Sequence, residues 1–303
     1  MLASLKSPKF PRNGLAISET SVSVARTEGA KGAIRVAQHA SISFSKGLFS
    51  PDFIAGGFDA VQLESAIREC SEKAGLADKK NWNLALPNGC GKIAAFSLDS
   101  EPKSSGELEE ILEWKASSAF SLAPEFLRLA SQRISDDVDG KPRYLVSAVS
   151  KEALSLFEDV VSGLGWNLGL VLARPLAESA VLNDGNQTDS LLLSFSEDGF
   201  SGMVLSGPDP LMVRNVSCTE EELSDELYRL ALFYSDRFGS GGRVLSRILA
   251  TGIKFDLESL AEVCSEALGH PISILNGDLV GLDRDSVVSE SDLASIGVAS
   301  VLA

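Results

Sequence analysis

Residues able to carry out chemistry are thinly spread along this sequence. His39 and His270 stand far apart, and no cluster of potential ligands surrounds either of them, so neither histidine predicts a metal site. The four cysteines occur singly, without a Cys-x-x-Cys pair: Cys70, Cys90, Cys218 and Cys264. Single thiols of this kind are typical of reduced cysteines that pack in a core. We therefore assign no catalytic nucleophile, general base or metal ligand, and we expect a reducing cytoplasm.

The composition is that of an ordinary globular protein with a strong acidic excess. Hydrophobic residues make up 44% and charged residues 23% of the 303 residues, which excludes global disorder. A chain of this length predicts two domains rather than one core. The 27 basic and 42 acidic residues give a formal net charge of -15. Because that charge repels phosphate backbones and anionic lipids, we expect no nucleic acid partner.

The sequence predicts neither a membrane span nor an export signal. The longest apolar region, about 168–181, is interrupted by Arg174, Pro175 and Glu178, whereas a bilayer needs about 18 to 20 consecutive apolar residues. The amino terminus carries basic residues but no apolar segment of the kind found in secretory signals. We therefore expect a cytoplasmic protein without direct membrane insertion.

The elements that must position any site fall into two similar halves. Residues 14–44 contain β-prone runs that predict a β-meander, and a helix follows it after Asp59. Residues 191–216 predict a second meander, and a helix from Thr219 follows in the same way. The polar segment 183–189 is the expected domain boundary. Two such halves, each with a meander followed by helix and strand, predict a two-domain α/β protein.

Local patterns along nearly the whole chain resemble the PilM-like family of type IV pilus assembly proteins. Gly14–Arg26 (GLAISETSVSVAR) is similar to the family's first phosphate loop, and Leu191–Leu205 (LLLSFSEDGFSGMVL) stands where the second belongs. Further similar segments follow in the family's order: Ala85–Gly89, Val146–Trp166, Ala173–Leu182, Glu226–Phe238, Arg247–Gly252 and Asp292–Ala303. The common order carries more weight than any single segment.

This resemblance implies an α/β protein with the actin-like ATPase (ribonuclease H-like) fold, built from two similar domains with a subdomain inserted in the first. The first domain would cover residues 1–186 and its inserted subdomain about 82–166. The second domain would cover residues 187–303, with a small helical part at about 219–243. Leu15–Val24 and Leu191–Leu205 should then occupy equivalent positions, as the opening strands of the two domains.

The first implied phosphate loop departs from the family pattern. ATP binding in this fold needs glycine turns whose N–H groups approach phosphate, and carboxylates that hold Mg²⁺. Where the family has Asp-Ile-Gly-Ser, this chain has Ala16, Ile17, Ser18 and Glu19. Both the acid and the glycine are therefore missing.

The second implied loop departs in the same way. Ser194 and Ser196 stand in place of the expected acid and glycine, and on the adenosine side Gly252 remains while Ile253 replaces a second glycine. Loss of the acids removes the charge that would hold the metal ion, and loss of the glycines places side chains where phosphate would lie. These changes predict a pseudo-ATPase without a catalytic residue, a metal ion or a bound cofactor.

An alternative is that the loops still bind nucleotide weakly without hydrolysing it. The hydroxyl groups of Ser18, Thr20, Ser21 and Ser196 could replace some of the N–H contacts to phosphate, and ATP with Mg²⁺ would then be the ligand. Serine is also an ordinary residue at strand ends, which is the simpler interpretation of each position.

The resemblance implies a role in an envelope machine. The family's members bind the cytoplasmic tail of a single-pass inner-membrane pilus protein, in a groove between the core of the first domain and its inserted subdomain, and couple it to a motor ATPase. The groove has no fixed motif, so the sequence assigns no partner-binding residues. Two other roles stay open: an active actin-like ATPase, and the cytoplasmic domain of a type II secretion scaffold. The sequence also leaves open a homo-oligomer and a peripheral association with the inner membrane through partners.

Overall fold

The computed structural model describes residues 10–30, 33–44, 59–182, 188–196, 198–252, 256–275 and 292–301. These residues form two five-stranded sheets, one three-stranded sheet and the helices that cover them. Most of the predicted boundary segment, residues 183–187, lies outside the described residues, and so does Ile253.

The bounds of the elements are as follows. The strands are β1 (Asn13–Ile17), β2 (Ser21–Ala30), β3 (Ala33–Ser43), β4 (Asn81–Leu86), β5 (Gly91–Ser97), β6 (Leu127–Ile134), β7 (Arg143–Ser150), β8 (Asn167–Ala173), β9 (Asp189–Ser196), β10 (Gly199–Ser206), β11 (Asp209–Ser217), β12 (Leu245–Thr251) and β13 (Ser273–Leu275). The helices are α1 (Ala60–Lys73), α2 (Ser105–Phe120), α3 (Lys151–Gly163), α4 (Arg174–Ser179), α5 (Leu223–Phe238), α6 (Leu257–Leu268) and α7 (Leu293–Ser300). Short 3-10 turns cover Pro124–Phe126, Ala180–Leu182 and Gly239–Gly241.

The first sheet has the strand order β3-β2-β1-β4-β8. Strands β1, β2 and β3 form the predicted antiparallel meander, and β4 and β8 run parallel to β1. Helices α1 and α3 cover one face, where Leu63 and Phe157 are fully buried. At the far end of that core the rings of Trp82 and Trp166 stack with centroids 4.5 Å apart, which fixes the start of β4 against the segment leading into β8.

The second sheet repeats this arrangement, with the strand order β11-β10-β9-β12-β13. Strands β9, β10 and β11 form the antiparallel meander, and β12 and β13 run parallel to β9. β1–β2 and β9–β10 therefore hold equivalent positions, which confirms the duplicated fold predicted from the sequence. Helix α5 begins at Leu223, four residues after the predicted start at Thr219. The reason is that the carboxylate of Glu222 accepts hydrogen bonds from the backbone N–H and the hydroxyl of Thr219, which closes a turn there.

The inserted subdomain is smaller than the predicted range of about 82–166. Its three-stranded sheet, in the order β5-β7-β6, draws all its strands from residues 91–150, and α2 covers one face. Strand β4 pairs with β1 and β8, and α3 packs in the core of the first sheet. Both of these elements belong to the first domain because the partners of their apolar side chains lie in that domain.

The last helix, α7, lies against the first sheet, although it comes from the segment assigned by sequence to the second domain. It contacts β1, β2, β4 and α4, and all eight of its residues are buried. Small residues make this possible: a Cβ atom at Gly297 would lie 1.9 Å from the carbonyl oxygen of Ala177 in α4. On the opposite side, a Cβ atom at Gly14 would lie 2.0 Å from the carbonyl oxygen of Ser295. The backbone of α7 therefore packs directly against the backbones of α4 and β1.

We expect Gly297→Ala to lower the free energy of unfolding by about 2 kcal/mol, since the added methyl group must displace backbone rather than a flexible side chain. Gly106→Ala is the matched control, because Gly106 is also helical and its Cβ atom would meet nothing closer than 4.0 Å. The control should leave stability unchanged or raise it by up to about 1 kcal/mol, because alanine favours helix. Urea unfolding of the two variants measures both effects. Equal stability of the two variants would contradict the close packing of α7.

Candidate functional site

The carboxyl ends of the parallel strands in the two sheets define the cleft where an α/β fold binds ligands. In the first sheet this edge carries the turn 18–21 after β1 and the loop 87–90 after β4, because β1 and β4 are parallel. In the second sheet it carries Ser196 at the end of β9 and Gly252 just after β12, because β9 and β12 are parallel. All of the predicted site residues lie in or next to these segments.

The turn that follows β1 is closed by its own side chains. The hydroxyl oxygen of Ser18 accepts hydrogen bonds from the backbone N–H groups of Ser21 and Thr20, at 2.9 and 3.3 Å. It also lies 2.8 Å from the hydroxyl of Ser21, and the N–H of Ser18 donates to the carbonyl oxygen of Ser21. Ser18 and Ser21 are buried, whereas Thr20 is exposed. The backbone N–H groups of Ser18, Thr20 and Ser21 are thus bonded within the turn.

Ala16 and Glu19, the other two predicted residues of this loop, have different surroundings. Ala16, which stands in place of the acid that the resemblance implies, is buried in a small apolar cluster with Ala177 and Val298. Glu19 is half-buried and lies near Cys90. Burial first, and then the negative charge of Glu19, raise the pKa of the Cys90 thiol well above its usual range. This cysteine is therefore a protonated, packed thiol, as its isolated position in the sequence predicts.

Asn88 joins the two sheets at their carboxyl ends. Its side-chain N–H₂ group donates to the carbonyl oxygen of Phe195 at 2.7 Å, and its side-chain oxygen accepts from the hydroxyl of Ser194 at 3.2 Å. Asn88 belongs to the loop after β4, whereas Ser194 and Phe195 belong to β9. One side chain of the protein thus links the loop after β4 to the carboxyl end of β9.

Gly252 meets the same carbonyl group. It has a φ of +104°, and a Cβ atom there would lie 2.5 Å from the carbonyl oxygen of Phe195. Its retention in the sequence is explained by this close approach to β9. The structure therefore brings Ser194 and Gly252 together around Asn88 and Phe195. Ser196 lies beyond them, and its hydroxyl donates to the carbonyl oxygen of Gly199 at 3.3 Å.

Sequence reasoning missed Asn88. It follows Pro87 and precedes Gly89, a combination that marks a turn, and the segment Ala85–Gly89 was recognised only as a strand entering the inserted subdomain. Nothing in the local sequence shows that this amide reaches β9, which is 107 residues further along the chain.

A groove of about 730 Å³ opens beside Asn88. We use the name groove for this cavity, whose walls come from three parts of the chain. The first wall is the loop and strand 88–92, and the second is the inserted subdomain. The third is the second domain, which contributes Ser196, Asp198, Phe200, Ser201 and residues 215–217. Apolar side chains line it from both sides: Phe120, Leu122, Leu127, Phe200 and Val216. Lys92 and Asp198 are charged and exposed at its walls.

Polar contacts hold the inserted subdomain against the second domain beside the groove. The buried guanidinium of Arg143 donates to the carbonyl oxygens of Leu211 and Pro210, at 2.7 and 3.2 Å. Burial lowers the pKa of this guanidinium. The two backbone carbonyls provide hydrogen-bond acceptors for the buried cation. Further along, the side-chain N–H₂ group of Asn215 donates to the carbonyl oxygen of Ile93 at 2.8 Å. The groove is therefore bounded by walls fixed to each other.

Within the described ranges no group of three or more His, Cys, Asp or Glu residues could hold a metal ion. In the same ranges, no helix is both long enough and apolar enough to span a bilayer.

Comparison with known proteins gives a fold but no sequence family. No family model and no curated protein matches the chain. A chain of the solved "PilM-PilN type IV pilus biogenesis complex" matches with a TM-score of 0.70 and 18% identity, and the alignment covers 96% of this chain and 98% of that one. The likeness extends over the whole length of both chains. The actin-like ATPase fold, and the resemblance to PilM on which its prediction rested, are therefore confirmed.

Two other solved structures are similar at lower scores. One is a protein of Bacteroides thetaiotaomicron described as having an actin-like ATPase fold and unknown function, with a TM-score of 0.49, 12% identity, and coverage of 91% and 94%. The other is the cytoplasmic domain of EpsL, from the type II secretion system of Vibrio cholerae, with a TM-score of 0.46, 16% identity, and coverage of 88% and 98%.

We expect Asn88→Asp to destabilise the protein at pH 7 more than Asn88→Ala does. Alanine removes the hydrogen bonds that the amide makes with the Phe195 carbonyl and the Ser194 hydroxyl, which costs about 1 to 3 kcal/mol. A carboxylate in addition faces the Phe195 carbonyl oxygen, so its pKa in the folded state is raised above the unfolded value. The extra loss of folding stability is therefore complete above that raised pKa. It decreases as the pH falls below that value, because the protonated carboxyl can donate to the carbonyl.

Urea unfolding at pH 7 and pH 5 measures this difference. The control is Asn167→Asp, because Asn167 is an exposed amide and such a change is usually worth less than about 0.5 kcal/mol. Wild-type stability of Asn88→Asp at pH 7 would show that the amide does not join the two sheets.

Proposed function

We propose that this protein is a cytoplasmic adaptor of a type IV pilus-like apparatus, with an actin-like fold that has lost its ATPase activity. In this role it binds the cytoplasmic tail of a single-pass inner-membrane partner and couples that partner to a motor ATPase. The observation that carries the proposal is the Asn88 bridge, because it places a side chain of the protein across the cleft between the two sheets of an ATPase fold.

Loss of nucleotide chemistry follows from three features of the cleft. Ala16 contributes a methyl group to an apolar cluster where the metal-binding acid would stand. The hydroxyl of Ser18 takes up N–H groups of its own turn. Ser194 donates to Asn88, so its hydroxyl is engaged as well. Because phosphate binding depends on available N–H donors and a metal ion, the sum of these features disfavours both hydrolysis and weak binding.

Support for the pilus role comes from the extent of the fold likeness. An isolated domain match would leave the inserted subdomain or the last helix unexplained, but the alignment with the chain of the PilM–PilN complex covers nearly all of both proteins. That solved structure is a complex, and the present chain offers a groove of a size that accommodates a ligand or peptide side chains.

The groove also suits a tail that binds through apolar anchors. Its walls combine Phe120, Leu122 and Leu127 of the inserted subdomain with Phe200 and Val216 of the second domain. The net charge of -15 attracts a basic segment, but salt screens such attraction beyond about 8 to 10 Å. Affinity should therefore come from the apolar contacts, and charge should mainly assist the encounter.

We expect the purified protein to show no Mg-ATP hydrolysis above a buffer blank and no saturable ATP binding. The Asn88→Ala variant, which removes the side chain between the two sheets, should remain inactive because Ala16 still leaves the site without its acid. Steady-state phosphate release and equilibrium binding of a fluorescent ATP analogue measure these properties. Turnover that is abolished by Ser18→Phe or Ser196→Phe would instead show a working nucleotide site.

We expect the amino-terminal cytoplasmic peptide of the single-pass membrane protein encoded nearest downstream to bind in the groove. Ala119→Arg places a long side chain in the groove and should weaken binding by about tenfold or more, equivalent to 1.4 kcal/mol. Ser118→Arg is the matched control, because Ser118 is exposed in the same turn of α2 and does not line the groove. It adds the same charge, so it should change affinity by no more than about two- to threefold.

Isothermal titration at low and high salt measures both variants. Binding to the wild type should weaken only modestly with salt, and replacement of the peptide's apolar residues by Ala should abolish it. Absence of peptide binding to the wild type at either ionic strength would contradict the adaptor role. Equal weakening by the two arginine variants would place the tail outside the groove.

A further inference from the structure

Two edge strands from different sheets run beside each other at the groove. Strand β5 is an edge of the inserted subdomain's sheet, and β11 is an edge of the second domain's sheet. Arg143, which pairs with Ser97 at the end of β5, donates to Pro210 and Leu211 at the start of β11. Asn215, near the end of β11, donates to Ile93 in the first half of β5. The two strands are therefore antiparallel, and we call their line of contact the seam.

The seam is closed at one end and open at the other. Arg143 and Asn215 close it between residues 93–97 of β5 and residues 210–215 of β11. Beyond Asn215 the same two strands form opposite walls of the groove, with Gly91 and Lys92 on one side and Val216 and Ser217 on the other. The groove is thus the place where the two edges separate.

Backbone groups of β5 face into this opening. Leu98, just after β5, donates its N–H to the carbonyl oxygen of Pro142, just before β7. The backbone groups of Leu98 therefore point toward β7. Inward and outward positions alternate along an edge strand, and Ile93 accordingly offers its carbonyl outward to Asn215. Gly91, two residues before Ile93, shares this orientation. Its N–H and carbonyl therefore point away from β7.

The end of β11 has the matching orientation. Cys218 donates its N–H to the carbonyl oxygen of Asp198, in the turn before β10. The N–H of Cys218 therefore points toward β10, inside the sheet. Its neighbour Ser217 lies opposite Gly199 in the antiparallel ladder, at a position where the backbone N–H and carbonyl face outward. Ser217 and Gly91 thus present a donor and an acceptor each toward the groove. None of the described residues forms a hydrogen bond with these outward groups.

We propose that an extended peptide segment of the membrane partner binds here by strand addition, with its main chain bonded to Ser217 on β11 and to Gly91 on β5. This inference rests on the proposed adaptor function and names the way in which the tail is held. An unpaired strand edge binds another main chain in extended form, and alternate side chains of that strand supply specificity. A helical segment would leave these outward groups unbonded, since its own backbone is already paired.

The surroundings define the sequence that this segment should have. Apolar side chains at alternate positions would contact Phe120, Leu122 and Leu127. Asp198 is exposed at the wall of the groove, and the protein carries a net charge of -15. A cationic residue at one of the remaining positions is therefore favoured by charge complementarity. Such a segment would extend the seam and so fix the inserted subdomain to the second domain.

The test compares Ser217→Pro with Ser217→Ala, using the amino-terminal cytoplasmic peptide of the downstream membrane protein as probe. Proline removes the outward N–H without removing a ladder bond of β11, and the residue before it is already extended, as proline requires. We expect Ser217→Pro to weaken binding by about tenfold. Ser217→Ala keeps the N–H, so its loss of affinity should be at least about fivefold smaller than that of Ser217→Pro.

A second measurement uses the wild-type protein and needs no variant to fold. Single N-methyl groups are introduced at successive backbone positions of the peptide, which removes one N–H at a time and leaves every side chain in place. Strand addition predicts loss of affinity only at the positions whose N–H groups bond to the carbonyl oxygens of Ser217 and Gly91, which lie on opposite edges of the peptide strand. Uniform loss, no loss, or equal binding by Ser217→Pro and Ser217→Ala would overturn strand addition while leaving the adaptor function in place. A peptide that does not bind the wild type at all would overturn both.

Discussion

The close crossing of α7 with α4 and β1 is the constraint on which the rest of the structure depends. Gly297 approaches the Ala177 carbonyl and Ser295 approaches Gly14 at distances that no side chain could tolerate. α4 follows directly after the last strand of the first sheet and leads toward β9, so the crossing links the chain's two halves.

Asparagine side chains then complete the junction between the halves. Asn88 donates to a carbonyl of β9 and accepts from Ser194, and Asn215 donates to a carbonyl of β5 and accepts from Ser201. In both cases a neutral amide satisfies a backbone carbonyl and a serine hydroxyl at once, which a carboxylate or an aliphatic side chain could not do. These two bridges join the second domain to the first domain and to its inserted subdomain.

The groove lies beside the cleft, outside the part that the Asn88 bridge fills. Its walls belong to the loop after β4, the inserted subdomain and the second domain, so any segment bound there contacts three parts of the chain together. Groups on opposite walls then have to be satisfied by one ligand.

The sequence by itself determined the two meanders, the helices that follow them and the acidic net charge. These properties depend on local periodicity and residue type, which act over a few neighbouring residues. The role of Ser18, Thr20, Ser21 and Ser196 toward nucleotide stays a prediction. Only the tertiary structure decided that β4 belongs to the first sheet, that α7 leaves the second half to pack on the first, and that Asn88 bridges to β9. Each of these depends on a partner more than 60 residues away, and no local pattern specifies which distant backbone a strand, a small-residue helix or a single amide will meet.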